Sequence, residues 1–275
     1  MNSTLIYQVL TSFIAGGCFI ALLTLLAEKA NEKVAGIIMM FPATIVLGYF
    51  FLGIATSAEK VAEIVPATLA PLGVVIFSSV IYITVAKAFA SIRHRVLRSV
   101  VTLIAGSVLW FILVAPFAIW KINNLLLGTI GYILFTLLAH YLLNKPSRTY
   151  DPVSVSYSRL QIALRALFMG TVIAMVVLMG KLLGPFWGGI FTMYPAVTFV
   201  ALTTFQYYYP ADQLYSFFKR APLGSTTLFL YAISSMLLFP PLGTVVGTVI
   251  SYLISLVYSL ALIRFQKRYV KPRGS

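Results

Sequence analysis

The octapeptide Gly36-Ile-Ile-Met-Met-Phe-Pro-Ala43 recurs as Gly189-Ile-Phe-Thr-Met-Tyr-Pro-Ala196, displaced along the chain by 153 residues. The same displacement pairs Gly17 with Gly170. Apolar segments resemble one another by chance, but here glycines and prolines also match, in order and at nearly constant spacing. The pattern therefore favours a true internal duplication.

The duplication extends over about residues 13–73 and 166–224, where a shift of two residues aligns Ala70-Pro-Leu-Gly73 with Ala221-Pro-Leu-Gly224. Five hydrophobic spans separate the matching helices. Because five is odd, the two copies are expected to cross a membrane in opposite directions. Inverted repeats that carry interrupted helices are typical of small transporters.

The composition excludes a water-soluble globule. The 275 residues are 60% hydrophobic and 9% charged, with a mean hydropathy of +0.97. A soluble domain of this kind would expose large apolar patches and aggregate. Since the apolar runs exceed the length of a membrane strand, we predict an all-α polytopic membrane protein.

We predict about nine transmembrane helices, with eight or ten left open, and proline breaks in helices two and seven. The predicted spans are about 5–27, 34–56, 62–90, 97–119, 123–143, 160–183, 185–209, 217–239 and 242–264. The ninth span begins after a turn at Phe239-Pro-Pro-Leu-Gly243, where two prolines oppose a continuous helix.

The chain divides into two units joined by a polar, proline-containing linker. Residues 1–144 form the first repeat unit, with about five transmembrane helices, and residues 145–159 form a cytoplasmic linker. Residues 160–275 form the second, inverted unit, with about four transmembrane helices and a basic cytoplasmic tail.

The distribution of basic residues orients the chain. One set of loops carries only Lys60, Lys121 and Lys181, and the other side holds the remaining seventeen of the twenty Lys and Arg residues. By the positive-inside rule the N-terminus lies outside and the C-terminus is cytoplasmic. We therefore expect a multi-pass membrane protein. The lipid bilayer is its main partner, and a homo-oligomer is compatible with the sequence.

A net charge of +14 is also typical of nucleic-acid-binding proteins. Here the charge is confined to alternate loops and is explained by topology. We expect no nucleic-acid partner.

The repeated motif predicts a substrate-binding site built from backbone groups. Pro42 cannot donate a hydrogen bond to the carbonyl of Ile38, and Pro195 cannot donate to Phe191. Carbonyls freed in this way are costly in hydrocarbon unless protein, water or a ligand satisfies them, so the breaks should face inward. The predicted substrate-binding residues are Gly36, Met40, Pro42, Thr44, Gly189, Met193, Pro195 and Thr198. The alternative is that both prolines are tolerated kinks that only shape helix packing.

The residues that catalysis and ion coupling need are missing from the predicted spans. All six acids fall at span ends or in loops, and there are two isolated histidines and one cysteine. No general acid–base pair, activated nucleophile or buried carboxylate for proton or sodium coupling is recognisable. Several spans contain methionine, which suits Cu(I), but no Cys–His cluster accompanies it. We predict no enzyme, no cofactor and no metal site.

One stretch resembles a known family. Lys33-Val-Ala-Gly-Ile-Ile-Met-Met-Phe-Pro-Ala-Thr-Ile-Val-Leu-Gly-Tyr49 is similar to the second helix of GlpM-like proteins, which are small bacterial inner-membrane proteins. Their pattern is an Ala-Gly pair, a short apolar run, Phe-Pro, and a hydrophobic helix with a late aromatic residue. The resemblance covers about residues 15–90 and implies a bacterial inner-membrane location, but no substrate. This chain departs from the family because it is about two such units fused.

These features together predict an inner-membrane permease or secondary transporter with alternating access around a midplane site. The substrate is expected to be small and uncharged, amphipathic or anionic, because no buried carboxylate would balance a cation. Helix N-termini at the breaks suit an anionic group. A non-transporting membrane scaffold or assembly protein and a passive channel are the alternatives.

The inverted topology predicts the outcome of a labelling experiment. Single cysteines placed at Thr56 and at Ala211 should react with a membrane-impermeant thiol reagent from opposite sides of the membrane, because an odd number of spans separates the two copies. Labelling of both positions from the same side would contradict the inversion.

Overall fold

The computed structural model describes residues 3–29, 43–144 and 158–269, and these residues form helices without any strand. The all-α prediction is therefore confirmed for this part of the chain. In chain order the helices are α1 (Ser3–Lys29), α2 (Ala43–Ala55), α3 (Ala58–Ala88), α4 (Arg95–Ile119), α5 (Leu125–Leu143), α6 (Arg159–Leu182), α7 (Pro185–Thr192), α8 (Ala196–Tyr208), a 3-10 turn (Ala211–Gln213), α9 (Leu214–Phe218) and α10 (Ala221–Tyr269).

Most of these helices are long and apolar enough to cross a membrane. Within the described residues there are seven such segments, one of which is α7 and α8 taken together and another of which, Ala221–Arg264, has 44 residues. The outer faces of α4 and α5 carry exposed side chains such as Ile112, Leu126 and Leu134. In water such faces would promote aggregation, whereas lipid tails solvate them.

Polar side chains cap the N-termini of several helices. The Ser57 hydroxyl accepts a hydrogen bond from the Lys60 amide at the start of α3. Ser158 and Gln161 form a reciprocal capping box at the start of α6. These caps satisfy amides that lack a partner within the helix, and so they define where the helices begin.

Helix α10 is a hairpin of two packed helices. Gly243, the second residue after the Pro240–Pro241 pair, has φ 71° and ψ 173°, a left-handed conformation that interrupts the helix. The Tyr258 hydroxyl donates a hydrogen bond of 3.0 Å to the Thr226 hydroxyl. In one straight helix these residues would lie about 48 Å apart, so the chain must reverse. The reversal falls at the turn predicted between the spans 217–239 and 242–264.

Helix α3 is the centre of the fold. Most of its residues are buried, and Val61, Leu69 and Ile83 are completely inaccessible. Helices α5 and α10 make large contacts with it. A Cβ atom on Gly128 of α5 would lie 2.3 Å from the Pro66 carbonyl oxygen, so only a glycine allows this approach of the two backbones.

Helices α1 and α6 form another close contact. A Cβ atom on Gly17 would lie 2.9 Å from the carbonyl oxygen of Ala166, and one on Gly170 would lie 2.5 Å from that of Phe13. Small residues at such crossings let two helix backbones meet, which is how helices associate within lipid.

The hairpin turn predicts a difference between two glycines of α10. Replacing Gly243 with Ala places an L-residue in a conformation that costs about 1–3 kcal/mol, so the apparent melting temperature in detergent should fall by at least about 2 °C. Gly224→Ala is the matched control, because both sites have open space around a new Cβ and only Gly243 has a positive φ. The control should melt at the same or a slightly higher temperature, since Ala suits a helix better than Gly does. Equal melting of both variants would show that the turn does not depend on glycine.

Candidate functional site

The structure interrupts the seventh predicted span at Pro195. Helix α7 ends at Thr192 and α8 begins at Ala196. Over the last residues of α7 the chain tightens, because the amides of Met193 and Tyr194 donate to carbonyls only three residues back. Pro195 has no N–H with which to continue the helix. The predicted break is therefore present in this span.

Helix α2 begins at the matching position. Its first described residue is Ala43, which directly follows Pro42 in the sequence and corresponds to Ala196 of α8 in the repeated motif. Both helices have 13 residues. Pro42 itself, like the predicted site residues Gly36 and Met40, lies outside the described residues.

The starts of α2 and α8 meet inside the protein. Ala43 and Ala196 are buried in one apolar cluster with Met169 and Val172 of α6. Phe19 of α1 packs against the same cluster. The two proline-preceded segments are therefore brought together, although 153 residues separate them.

From this meeting point the two helices extend in opposite directions along α3. The Tyr49 hydroxyl of α2 lies 2.5 Å from the Thr68 hydroxyl, in the N-terminal half of α3. The Tyr82 hydroxyl, near the C-terminal end of α3, donates a 2.8 Å hydrogen bond to the Gln206 side-chain oxygen of α8. Tyr82 and Thr68 are separated by about 21 Å of helix.

A cavity of about 420 Å³ lies where the two helices start. Four of the five predicted site residues that the structure describes line it, namely Thr44, Met193, Pro195 and Thr198. The fifth, Gly189, does not line the cavity. The walls are otherwise mainly apolar, and Leu72, Val75 and Ile76 of α3, Ile45 of α2 and Leu228 of α10 contribute to them.

The cavity reaches the protein surface near the junction of α9 and α10. Exposed Phe217 and Arg220 line it there, together with Phe205 of α8. The rings of Phe205 and Phe217 stack with their centroids 4.6 Å apart. Met193 and Ala196, which also line the cavity, are almost completely buried. We call the part lined by the exposed residues Phe217 and Arg220 the mouth of the cavity.

Tyr194, inside the break, was not among the predicted site residues. It lines the cavity, and its hydroxyl lies 2.6 Å from the Ser107 hydroxyl of α4. Its ring meets Trp110 edge to face with centroids 5.1 Å apart. The only signal in the sequence was its place beside Pro195, at the position that Phe41 occupies in the first copy.

A buried polar network holds the far end of α8. Gln206, which is 2% exposed, accepts from Tyr82 and donates from its amide nitrogen to the Thr102 hydroxyl of α4. The Tyr82 hydroxyl also lies 2.8 Å from the Thr203 hydroxyl. A glutamine within an apolar span was a signal that the sequence offered, because a buried amide needs partners.

Gly189 has a packing role. A Cβ atom there would lie 2.5 Å from the Ile64 terminal carbon and 3.1 Å from the Thr68 methyl of α3. At the neighbouring Gly188, a Cβ atom would lie 2.8 Å from the Cα atom of Gly180. The glycine pair therefore lets α7 pack tightly against α3 and α6.

Comparison with protein-family models, with curated proteins and with solved structures finds no match to this chain. The resemblance to GlpM-like proteins stays a prediction, and the function has to be argued from the geometry.

The glycine pair predicts a graded effect on stability. Gly188→Ala should lower the apparent melting temperature more than Gly189→Ala, because its new methyl meets the backbone of Gly180 whereas the other meets the mobile end of Ile64. Overpacking of this kind costs about 1–3 kcal/mol. Thermal unfolding in detergent measures both variants beside the wild type. A larger loss for Gly189→Ala would mean that this residue does more than pack α7 on α3.

Proposed function

We propose that this protein is an inner-membrane permease or secondary transporter for a small uncharged, amphipathic or anionic substrate. The observation that carries the proposal is the cavity at the starts of α2 and α8. Two helices that each follow a proline, at equivalent positions of a repeated sequence, contribute its lining. Transporter substrate sites are typically built from such interrupted helices at the interface of two repeats.

Symmetric contacts support a two-fold relation between the repeat units. Gly17 lies against Ala166. Their counterparts in the other repeat, 153 residues away, are Gly170 and Phe13, and these two residues are also in contact. A two-fold axis requires every contact between the two units to have a symmetry-related contact of this kind. The opposite directions of α2 and α8 along α3 support an inverted rather than a parallel repeat.

Contacts at one end of the molecule support the proposed orientation. The Lys87 ammonium group lies 2.5 Å from the Asp212 carboxylate, and Arg95 lies over the ring of Tyr207. Arg220 stands at the mouth of the cavity, near the same end. By the positive-inside rule we assign this end to the cytoplasm, and in the proposed cycle the cavity then opens inward.

The proposed mechanism is movement of one repeat unit against the other, which would close the inner mouth and open the cavity outward. Helix α8 is the natural moving element, because the break at Pro195 separates it from α7. In a scaffold or a channel, by contrast, α8 would keep one position relative to α7. A scaffold would keep the cavity closed to one side at all times, and a channel would join both sides at once.

Accessibility of one cavity residue separates these functions. Thr198→Cys, with Cys18 replaced by Ala, is placed in sealed membrane vesicles and treated with a membrane-impermeant methanethiosulfonate from each side in turn. A transporter should label from both sides, because the site alternates. Adding Pro195→Ala should leave expression intact but slow labelling from one side by about tenfold, since a restored helix resists the movement.

Thr68→Cys is the control, because Thr68 is 1% exposed and does not line the cavity. It should stay unlabelled. Labelling of Thr198→Cys from one side only would favour the scaffold. Labelling from both sides, accompanied by free leakage of the reagent across the membrane, would favour a channel.

A further inference from the structure

We propose that the cavity binds a small amphipathic anion, whose charged group pairs with Arg220 and whose apolar part lies against α3. This inference rests on the proposed transport function, and it narrows the substrate class from the three that the sequence leaves open. The same chemistry is shared by short-chain carboxylates, sulfonates and phosphates in water and by the headgroups of anionic lipids.

The charges around the cavity favour an anion. Among the described lining residues Arg220 is the one ionisable group that carries a full charge at neutral pH, and no Asp or Glu accompanies it. Asp212 is the acid closest to it in sequence, and its carboxylate is held by Lys87. Glu59 and Glu63 lie at the opposite end of α3 and are exposed. Among these described residues a cation would therefore meet a like charge without compensation, whereas an anion would meet its complement.

The walls of the cavity favour an apolar portion in the same ligand. Leu72, Val75 and Ile76 form one side of it, with Ile45 and Leu228 nearby. A sugar or an inorganic ion would lose hydrogen bonds to water against these side chains without replacing them. An alkyl or aromatic group is stabilised there by leaving water.

The position of Arg220 suits capture of a ligand from the cytoplasmic side. It is exposed, it lies between α9 and α10, and it lines the mouth of the cavity. A guanidinium group presents paired donors that match the oxygens of carboxylate, sulfonate or phosphate. Lys219 is exposed as well but does not line the cavity, which makes it a natural control for any general effect of loop charge.

The size of the cavity limits the ligand. A volume of about 420 Å³ is within the range of small-molecule pockets, which is about 300–1,000 Å³. A hexyl or octyl anion fits such a space, and a folded peptide does not.

Binding of matched probes tests the inference. The wild-type protein, in nanodiscs of phosphatidylcholine, is titrated calorimetrically with sodium hexanesulfonate and with hexanamide, which has the same chain length and no charge. We expect hexanesulfonate to bind at least about tenfold more tightly than hexanamide, because only the anion pairs with Arg220.

Variants then test whether Arg220 is the residue that pairs with the anion. Arg220→Gln should weaken hexanesulfonate binding at least about tenfold and leave hexanamide binding unchanged, whereas Lys219→Gln should change neither by more than about twofold. Arg220→Lys should retain part of the preference for the anion. If phosphatidylglycerol in the nanodisc competes with hexanesulfonate in the wild type but not in Arg220→Gln, the anion comes from lipid, and the assignment to Arg220 stands.

Equal affinity for both probes, no detectable binding of hexanesulfonate, or an equal effect of the two Gln variants would overturn the inference. The labelling of Thr198→Cys from both sides then shows whether only the anion class or also the transport proposal is wrong. If that labelling persists, only the anion class is wrong. If it is lost as well, the transport proposal also falls.

Discussion

The missing backbone N–H of Pro195 is the constraint on which the rest of the site depends. A helix in an apolar environment satisfies all its backbone groups internally, and one proline removes one of those bonds and pushes the turn apart. The chain responds by ending α7 at Thr192 and starting α8 at Ala196. The resulting gap in the helix, together with the start of α2, leaves space that side chains do not fill. The cavity therefore lies at the interruption that this proline marks.

Much of the fold could be predicted because the deciding residues act locally. Proline lacks a donor wherever it stands, which predicted the interruption at Pro195 and the reversal after Pro240 and Pro241. The missing donor does not suffice alone, because Pro66, Pro71 and Pro116 lie within continuous helices. The apolar runs likewise predict the helices. The proposed repeat was visible because Gly and Pro are distinctive within apolar sequence, and in the structure Ala43 and Ala196 lie in one buried cluster.

The remaining features depend on which helix faces which, and this information is not local. Gly189 looks like part of the motif, but its neighbours Ile64 and Thr68 come from a helix more than a hundred residues earlier, and they give it a packing role. Arg220 looks like an ordinary basic loop residue, and only the packing of α8 and α10 places it at the mouth of the cavity. Gln206 was visible as a polar residue in an apolar span, but its partners Tyr82 and Thr102 lie on two other helices.

The hairpin of α10 has a consequence for how the protein is made. Its two helices carry buried hydroxyl groups, among them Ser235 and Ser251, and the turn between them contains no charged residue. A single helix of the pair would expose its serines to lipid after leaving the insertion machinery, and nothing in the turn would hold it at the membrane surface. Inserted together, the two helices can pair some of their hydroxyl groups with each other, as Tyr258 and Thr226 do. We therefore expect these 49 residues to enter the membrane as one hairpin, after the ribosome has completed both helices.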